Sequence, residues 1–379
     1  MKILRAWGGA LLYQCCMTVS PPLQQVERTC VRDRNRKLIY FAGCDYFRLA
    51  SHPQVLKAAA GAVTRYGLNV SASRVTTGNH VLYEKLERDL ANFFAVPEAT
   101  LASNGYVPNL MVAQALAGQF SHALIDERAH GCLADAAQLL DCPVIKFRHR
   151  DAGDLARIVG RLNHSKPLLL TDGLFSHDGS IAPLKEYLAV LPAQARVLLD
   201  DAHGAGVLGK NGRGTPEHFG VSRERIIQTI TLSKGFGAYG GAVLGPGELR
   251  AAIVSGSRAF SGNTPLPLPL AAAAIAAVKI LKNDRKLRAR LGKNVGFVKG
   301  KLISVGFEIA DSPVPIFSIT PRDTCHAETL KRRLLAQKIY PPFIKYPGGP
   351  PSGFFRFAIS SEHTRAQLDA LVGALAGDR

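Results

Sequence analysis

The stretch "TITLSKGFGAYGGAVLG" runs from Thr229 to Gly245. It places one lysine, Lys234, between a β-branched apolar run and a series of glycines. The apolar run predicts a buried strand. Burial of an ammonium group is costly unless the group is paired or gives up its proton and acts as a nucleophile. Lys234 is therefore a candidate nucleophile, with a surface lysine in a strand-to-loop turn as the alternative.

Similar strand patterns occur on both sides of this stretch. Between about residues 95 and 245 the candidate strands are "ATLASN", "HALIDE", "VIKFRH", "PLLLTDG", "RVLLDDAH", "TITLS" and "GAVLG". Several are nearly continuous in apolar residues, as strands covered on both faces must be. Because helical or loop stretches separate them, we predict an α/β domain with a mainly parallel sheet and ligands at the strand ends.

The region after this sheet has a different pattern. A long helical pattern follows Pro265 and Pro267, and after it come another helix and the candidate strands "FEIADS", "VPIFSIT" and "FFRFAIS". We therefore predict an N-terminal segment over 1–45, a large domain over 46–285 and a small C-terminal α+β domain over 286–379. The first residues, "MKILRAWGGALLYQCCMTVS", predict an N-terminal helix, and no later apolar run reaches the roughly 18 residues of a membrane span.

Composition limits the partners and the compartment. The formal net charge is +18, which suits an anionic partner, but the basic clusters "VRDRNRKL" and "NDRKLRARLGKN" lack interleaved aromatic residues. We therefore expect a solvated basic surface and no nucleic-acid site. The seven cysteines are odd in number, scattered and free of any CxxC pair. This usage predicts free thiols in a reducing, cytoplasmic setting and no metal site.

One glycine pattern imitates a nucleotide site. Gly204, Gly206 and Gly209 form GxGxxG after an apolar run, and Lys210 follows as in a phosphate loop. However, Asn211 stands where a phosphate loop needs a Ser or Thr hydroxyl, and a dinucleotide site needs its glycines directly at the strand end. Acidic residues and a histidine occupy that end instead, so both nucleotide interpretations are disfavoured.

The residues at that strand end fit a different cofactor. Asp200 ends the run "RVLLD", His203 follows three residues later, and Lys234 follows the next strand. Pyridoxal phosphate requires a lysine that forms a Schiff base and a carboxylate that keeps the pyridine nitrogen protonated. Lys234 and Asp200 supply these two groups, although each residue alone has a structural explanation.

At this point the sequence resembles the α-oxoamine synthases, a family of fold-type I pyridoxal-phosphate enzymes. The resemblance covers about residues 38–375, with "DDAHGAGVLGKNGRG" and "TLSKGFGAYGG" as its most specific segments. It implies that Asp200 pairs with the pyridine nitrogen and that His203 bonds the ring hydroxyl. It also implies that Thr231 contacts the phosphate.

The same resemblance assigns further cofactor contacts. "SNGYVPN" is similar to the family's phosphate-binding turn, "DERAHGCL" to the segment that stacks on the ring, and "GLFSHDGSIAPL" to the segment that contacts the ring hydroxyl. "AFSGNTPLPLP" is similar to the segment that reaches the partner subunit's phosphate in a homodimer. The residues implied are Asn104, Gly105 and Tyr106 for the phosphate, His130 for stacking, Ser176 for the hydroxyl, and Thr264 for the partner's phosphate.

The substrate side resembles the family less closely. "FFRFAISSEHT" places Arg356 where the family clamps a substrate carboxylate, but Cys44 stands where the family has an asparagine that helps hold the amino acid. The stretch "NVSASR" replaces a glycine-rich one, and Tyr83 replaces a histidine. These departures predict weakened binding of small amino acids and a reshaped entry for the second substrate.

The resemblance implies a homodimeric acyltransferase that condenses an amino acid with an acyl thioester and releases carbon dioxide to give an α-aminoketone. Lys234, His130, Asp200 and His203 are the predicted catalytic residues. Two alternatives stay open. One is a pyridoxal-phosphate aminotransferase, which never uses a thioester, and the other is a non-catalytic regulatory protein that binds the cofactor.

Overall fold

The computed structural model describes residues 19–162, 165–310, 312–345, 350 and 352–377. The predicted N-terminal helix lies outside these residues. The described chain begins with an antiparallel three-stranded sheet in the order β1-β2-β3. Its strands are β1 (Gln24–Glu27), β2 (Cys30–Asp33) and β3 (Arg36–Ile39). A short 3-10 turn follows at Leu49–Ser51.

A seven-stranded sheet forms the centre of the molecule. Its strands are β4 (Glu98–Ala102), β5 (Ala123–Asp126), β6 (Val144–Phe147), β7 (Leu168–Asp172), β8 (Arg196–Asp200), β9 (Ile226–Thr231) and β10 (Gly241–Gly245). The spatial order is β4-β10-β9-β8-β7-β5-β6. Strand β10 is antiparallel to both neighbours, and the other pairings are parallel. The predicted α/β class and all seven predicted strands are confirmed.

Helices cover both faces of this sheet. The helices of the described chain are α1 (Pro53–Tyr66), α2 (Val81–Phe94), α3 (Val107–Ala115), α4 (Gly131–Gln138), α5 (Ala152–Val159), α6 (Leu184–Val190), α7 (Thr215–Phe219), α8 (Gly247–Gly256), α9 (Arg258–Ser261), α10 (Leu268–Asn283), α11 (Arg285–Ser304), α12 (Thr324–Ala336) and α13 (Arg365–Ala376). None of those helices combines the length and apolar character that a membrane crossing requires.

The two-sided cover explains the continuous apolar runs in the central strands. In β7, Leu168 and Leu170 pack in the cluster formed with α3, α4 and α8, whereas Leu169 packs in the cluster formed with α5 and α6. Successive side chains of a strand point to opposite faces, so a strand buried on both faces needs apolar residues at every position.

The long helical pattern near residue 268 is two helices. Asp284 separates α10 from α11, and its carboxylate accepts a hydrogen bond from the backbone N–H of Lys286 at 2.9 Å. A short acidic side chain in this position satisfies a backbone donor that the new helix leaves free. The aspartate therefore starts α11 and allows it to change direction after α10.

The C-terminal region contains a small antiparallel sheet. Its strands are β11 (Ile316–Ile319), β12 (Phe343–Ile344) and β13 (Phe354–Ala358), in the order β11-β13-β12. The strands predicted in "VPIFSIT" and "FFRFAIS" are confirmed, but the strand predicted in "FEIADS" is wrong. There, Phe307 N–H bonds the Leu302 carbonyl and Ile309 N–H bonds the Phe307 carbonyl. These local turns use the backbone donors that a strand would give to a neighbour.

The N-terminal sheet is tied to the C-terminal sheet. Ile39 N–H donates to Lys338 O at 2.7 Å, and Tyr340 N–H donates back to Ile39 O at 2.9 Å. Ala358 N–H donates to Phe41 O at 2.6 Å. These bonds place the segment after β3, including Cys44, beside β13. The predicted division at residues 45 and 285 stays a prediction.

A buried histidine reinforces this contact. His363 stacks on Phe41 with ring centroids 4.1 Å apart, accepts from Ser360 N–H at 2.9 Å through Nδ1, and reaches Tyr40 O at 3.2 Å through Nε2. Burial, with the nearby Arg48 charge, lowers the pKa of His363 from 6.5 to about 3. The folded state therefore holds the neutral imidazole.

This shift predicts a loss of stability in acid. Between pH 6.5 and about 3, His363 binds a proton in the unfolded state but not in the folded state. The free energy of unfolding thus falls as the pH falls, by about 1.4 kcal/mol per pH unit from this group. We expect His363→Gln to remove that slope, measured by denaturant unfolding at pH 6.5 and 5.5. Equal pH slopes in the variant and the natural protein would contradict the assignment.

Candidate active site

Polar side chains follow the apolar positions on one face of three neighbouring strands. The last residues of β7, β8 and β9 on that face are Asp172, Asp200 and Thr231. The pairing of β7 with β8 places Asp172 opposite Asp200. Alternation along a strand places Leu170 and Asp172 on the same face, the one packed against α3 and α4. The carboxyl ends of these strands therefore present charged and hydroxyl groups together.

Asp200 is the most constrained of these groups. Its Oδ2 accepts from Asn109 Nδ2 at 2.8 Å and from the Cys132 thiol at 3.1 Å, and its Oδ1 accepts from Ala202 N–H at 3.0 Å. Asn109 is itself oriented by Thr229, whose hydroxyl donates to Asn109 Oδ1 at 2.8 Å. Three donors fix a buried carboxylate, which suits it to hold a cation or a protonated ring nitrogen.

His130 begins α4 above the same strands. Its backbone N–H donates to Asp172 Oδ2 at 2.8 Å, and its Nδ1 accepts from Cys132 N–H at 3.2 Å. Its ring lies edge-on to Tyr106 with centroids 6.1 Å apart. Burial and the neighbouring Asp200 raise the pKa of Asp172. These contacts fix the backbone of His130 and leave its exposed ring over the strand ends.

A metal site in this cluster is disfavoured by its chemistry. Ligand atoms of His130, Cys132 and Asp200 lie within 4.8 Å of one another. Burial and the adjacent Asp200 raise the pKa of the Cys132 thiol, which favours the protonated form. Transition metals bind the deprotonated thiolate and not the thiol. The thiol proton is also engaged with Asp200. The cluster of His130, Cys132 and Asp200 is therefore better suited to an organic ligand than to a metal ion.

His203 lies in the loop after β8. It is buried, and its Nδ1 lies 2.7 Å from the hydroxyl of Tyr46, which is also buried. Burial, with the charges of Lys234, Arg356 and His130, lowers the pKa of His203 well below its usual value. The imidazole is therefore neutral, and positive groups surround it.

Lys234 follows β9 in a tight glycine turn. Gly237 N–H donates to Lys234 O at 2.9 Å, and Gly237 has φ +56°. A Cβ on Gly237 would lie 2.4 Å from Ala50 N, and one on Gly235 would lie 2.6 Å from Ala205 O. Only glycine fits these close approaches. The half-buried Lys234 is near enough for its charge to act on both His203 and Asp172.

The predicted phosphate turn lies against the end of β9. A Cβ on Gly105 would lie 2.5 Å from the Thr231 hydroxyl oxygen, so these two residues are adjacent. Asn104 Oδ1 accepts from the backbone N–H of Tyr106 at 2.9 Å, next to the first turn of α3. Backbone donors at a helix start form a natural anion site. In this structure Asn104 Oδ1 accepts the N–H groups of both Tyr106 and Val107, and Pro108 has no N–H, so the phosphate contact of this turn stays a prediction.

Arg356 reaches this region from β13. Its Nη1 donates to Ser176 O at 3.4 Å and its Nη2 to Cys44 Sγ at 3.7 Å, while its Nε is buried without a hydrogen-bond partner. Ser176, with His130 and Asp172, also lines a cavity of ≈ 300 Å³ of empty volume. A guanidinium with weak contacts and an unpaired buried donor is suited to bind a carboxylate.

Two residues of the substrate-side segments, Tyr83 and Arg74, have largely buried side chains. Tyr83 is fully buried and its hydroxyl donates to Leu266 O at 2.7 Å, and Arg74 forms a buried ion pair with Glu87. Arg74 also lies over the rings of Tyr83 and Phe260. These side chains pack beside the 261–266 loop and line a cavity there with Ser103 and Asn263, so the reshaped entry predicted at Tyr83 stays a prediction. In this loop Thr264 is exposed.

The sequence reasoning missed the groups that hold the site residues in place. Asn109, Cys132 and Asp172 lay in or beside quoted motifs, and Tyr46 in "GCDYFRL", without an assigned role. Asp172 carried one usable signal, because it ends a continuous apolar strand as Asp200 does. Nothing in the sequence indicated that Tyr46 meets His203, which is 157 positions away.

Known proteins share this arrangement. The model of the family "Aminotransferase class I and II" matches residues 37–375. The 8-amino-7-oxononanoate synthase of Thioalkalivibrio sulfidiphilus is 38% identical over 344 residues, covering 90% of this chain and 88% of that protein. Serine palmitoyltransferase from S. paucimobilis, with a bound pyridoxal phosphate–myriocin aldimine, has a TM-score of 0.89 at 27% identity, covering 95% of this chain and 93% of that one.

A solved 8-amino-7-oxononanoate synthase from Francisella tularensis has a TM-score of 0.78 at 26% identity, covering 90% of this chain and 97% of that one. The mainly parallel sheet and the site at its carboxyl edge thus define a fold-type I pyridoxal-phosphate protein. Within that class, the chain belongs to the aminotransferase class I and II family and is an α-oxoamine synthase.

Proposed function

We propose that this protein is a pyridoxal-phosphate-dependent acyltransferase that condenses an amino acid with an acyl thioester and releases carbon dioxide to give an α-aminoketone. The observation that carries the proposal is the convergence of Arg356 from β13 on a strand edge that holds Lys234, Asp200 and His203. The named activities of the relatives support the same chemistry.

The described residues fit the cofactor. Gly105 lies so close to the Thr231 side chain that a Cβ would collide with it, which brings the turn before α3 to the end of β9, where the phosphate would lie. Three donors hold Asp200 for the ring nitrogen. When bound, the cofactor supplies an electron sink that stabilises negative charge at the substrate α-carbon.

The protein groups then divide the remaining work. With the cofactor bound, Lys234 would hold it covalently, and the Nζ of Lys234 would move the α-proton of the amino acid. Asp200 would keep the ring nitrogen protonated, and His203 would bond the ring oxygen. His130 would cover the ring and keep water from that face.

Arg356 orients the amino acid. Its guanidinium is half-buried, and its weak contacts to Ser176 O and Cys44 Sγ leave its donors available for a carboxylate. A fixed planar fork binds that carboxylate through two parallel hydrogen bonds.

The test is a product assay. Purified protein loaded with pyridoxal phosphate is incubated with single amino acids and acyl thioesters, on coenzyme A or on a carrier protein. Release of free thiol and carbon dioxide in equal amounts supports the proposal. Keto acid formation without thiol release would indicate an aminotransferase instead. Cofactor binding without turnover across the panel would indicate the regulatory alternative.

We further propose a homodimer in a reducing, cytoplasmic setting, with the predicted domains 1–45, 46–285 and 286–379. Thr264 supports the shared site, because it is exposed and its neighbour Asn263 donates to Ser103 Oγ at 2.8 Å, beside the phosphate turn. A loop fixed there can offer its hydroxyl to a second subunit. The five described cysteines are free thiols, which supports the reducing setting.

A further inference from the structure

A buried carboxylate that the proposed mechanism does not use lies at the end of β5. The Asp126 side chain is fully buried, and its Oδ1 accepts from Arg128 N–H at 2.9 Å and lies 2.9 Å from Nδ1 of His149. Its Oδ2 accepts from Arg150 N–H at 3.0 Å. A buried carboxylate needs several polar partners, and two of these partners come from the loop after β6. Asp126 therefore fixes that loop to the central sheet.

The loop after β6 has an unusual backbone conformation. Arg150 has φ +56°, in the left-handed region that is uncommon for residues other than glycine. Such a conformation persists where the surrounding contacts over-determine it, and the hydrogen bond from Arg150 N–H to Asp126 is one of those contacts. The loop is thus held in one conformation, with His149 next to Arg150.

Both residues of this loop contact the segment that follows β7. The ring of His149 lies edge-on to Phe175 with centroids 4.5 Å apart, and its Nε2 lies 3.5 Å from the Ser180 hydroxyl oxygen. Arg150 Nε donates to Ile181 O at 2.9 Å. His149 therefore packs between a buried carboxylate on one side and this segment on the other.

The contacted segment is a tight hairpin over residues 174–181, which we call the serine turn. Phe175 N–H donates to Ser180 O at 2.8 Å, and Gly179 N–H donates to Phe175 O at 3.0 Å. A Cβ on Gly179 would lie 2.4 Å from Ile316 O in β11. The turn thus packs directly against the small C-terminal sheet.

The serine turn also carries a group of the candidate active site. Ser176 lies in the turn, and its carbonyl oxygen accepts from Arg356 Nη1 at 3.4 Å. The ring centroid of His177, the next residue, lies 4.3 Å from that of Phe354, which shares β13 with Arg356. The position of the turn therefore affects where the Arg356 guanidinium lies relative to Ser176.

We propose that His149 is a positioning residue which, through its contact with Asp126, holds the serine turn in the place that Arg356 needs to bind the amino-acid carboxylate. The proposal rests on the proposed function, because that function assigns Arg356 to this carboxylate. A histidine that served only as a polar partner for Asp126 would leave substrate binding unchanged, so the two roles can be separated.

Hydrogen exchange in the full-length, cofactor-free protein tests the contact with the turn. His149→Ala should speed exchange of the Phe175 and Gly179 amides, because one side of the hairpin loses its support. His122→Ala is the matched control, since this half-buried histidine precedes β5 at its other end and its Nδ1 has no hydrogen-bond partner among the described residues. Unchanged exchange in His149→Ala, or equal acceleration in His122→Ala, would overturn the proposal.

The protein loaded with pyridoxal phosphate separates positioning from a purely structural role. His149→Ala should weaken amino-acid binding about tenfold, which is the effect of roughly one hydrogen bond to a charged group, with little change in kcat or in the KM of the thioester. In an Arg356→Ala background the same change should have almost no further effect, because both changes act on one contact. Equal losses of binding in the two backgrounds, or a loss confined to kcat, would overturn the proposal.

Two further variants test the contact with Asp126. His149→Asn keeps a polar group near the position of Nδ1, so it should recover part of the exchange protection and of the amino-acid affinity. His149→Leu fills similar space without that group and should behave like His149→Ala. Equal behaviour of the Asn and Leu variants would contradict the role of Asp126. If no cofactor binds, the proposed function fails, whereas hydrogen exchange in the cofactor-free protein still decides whether His149 holds the serine turn.

Discussion

We expect Lys234→Ala to reduce the condensation rate to the detection limit. The change removes a covalent attachment and a proton carrier together, and general base catalysis alone contributes about two to four orders of magnitude. Lys234 is held in a turn that only glycine permits, with Gly235 and Gly237 against neighbouring backbone, so no other lysine can take its place without rebuilding the turn. The measurement is thiol release at saturating amino acid and thioester.

Lys210→Ala is the matched control. Lys210 is exposed on the nearby glycine loop, within the pattern that imitates a nucleotide site, and we expect its loss to leave the rate unchanged. A large loss of activity in Lys210→Ala, or retained activity in Lys234→Ala, would reverse the assignment of the nucleophile.

The Lys234→Ala variant also tests whether two subunits share each active site. If Thr264 contacts the partner's phosphate, a refolded mixture of Lys234→Ala and Thr264→Ala chains contains heterodimers with one undamaged site. Activity should then exceed the sum of the two separate variants. A protein that sediments as a monomer and remains fully active would contradict the dimer.

The second large effect is expected from Arg356→Ala, which should weaken binding of the amino-acid substrate. Each charge-assisted hydrogen bond contributes roughly 1.5 to 3 kcal/mol, so losing a bidentate clamp weakens amino-acid binding about a hundredfold or more. The loss should appear in the amino-acid KM and not in the KM of the thioester. Arg365→Ala is a suitable control, because that arginine is exposed and pairs with Asp369 on the surface of α13. Titration of the cofactor spectrum with amino acids measures the change.

Cys44 modifies this expectation. With a thiol where the family has an amide, the natural protein should bind glycine and alanine weakly, and Cys44→Asn should recover part of that affinity. Tight binding of either amino acid by the natural protein, or indifference to Arg356→Ala, would show that other residues hold the carboxylate.

The sequence predicted the central sheet well because most of its strands are buried on both faces. Leu168, Leu169 and Leu170 show this directly, since successive positions pack into the apolar clusters on opposite faces. The short strand β12 and the irregular stretch after α11 were not predictable in the same way. The form of β12 depends on backbone partners from a distant segment. The stretch after α11 depends on local turns, such as the hydrogen bond from Phe307 N–H to Leu302 O.

The candidate site also contains residues that local sequence patterns identify and residues that they do not. The residues proposed to contact the cofactor lie at strand ends and in glycine turns, and such local patterns can be recognised in one sequence. Asp200 and Lys234 are examples. Their supports are contacts between remote segments. Asn109 reaches Asp200 across 91 positions and Arg356 reaches Cys44 across 312, and no local pattern encodes either pair.

The most direct measurement of the central claim is borohydride reduction of the purified protein with pyridoxal phosphate, followed by proteolysis and mass mapping. Reduction should remove the visible absorption band and leave the cofactor attached to the peptide that contains Lys234. A protein that binds no cofactor, or that carries it on a different lysine, would show that Lys234 is not the residue that holds pyridoxal phosphate.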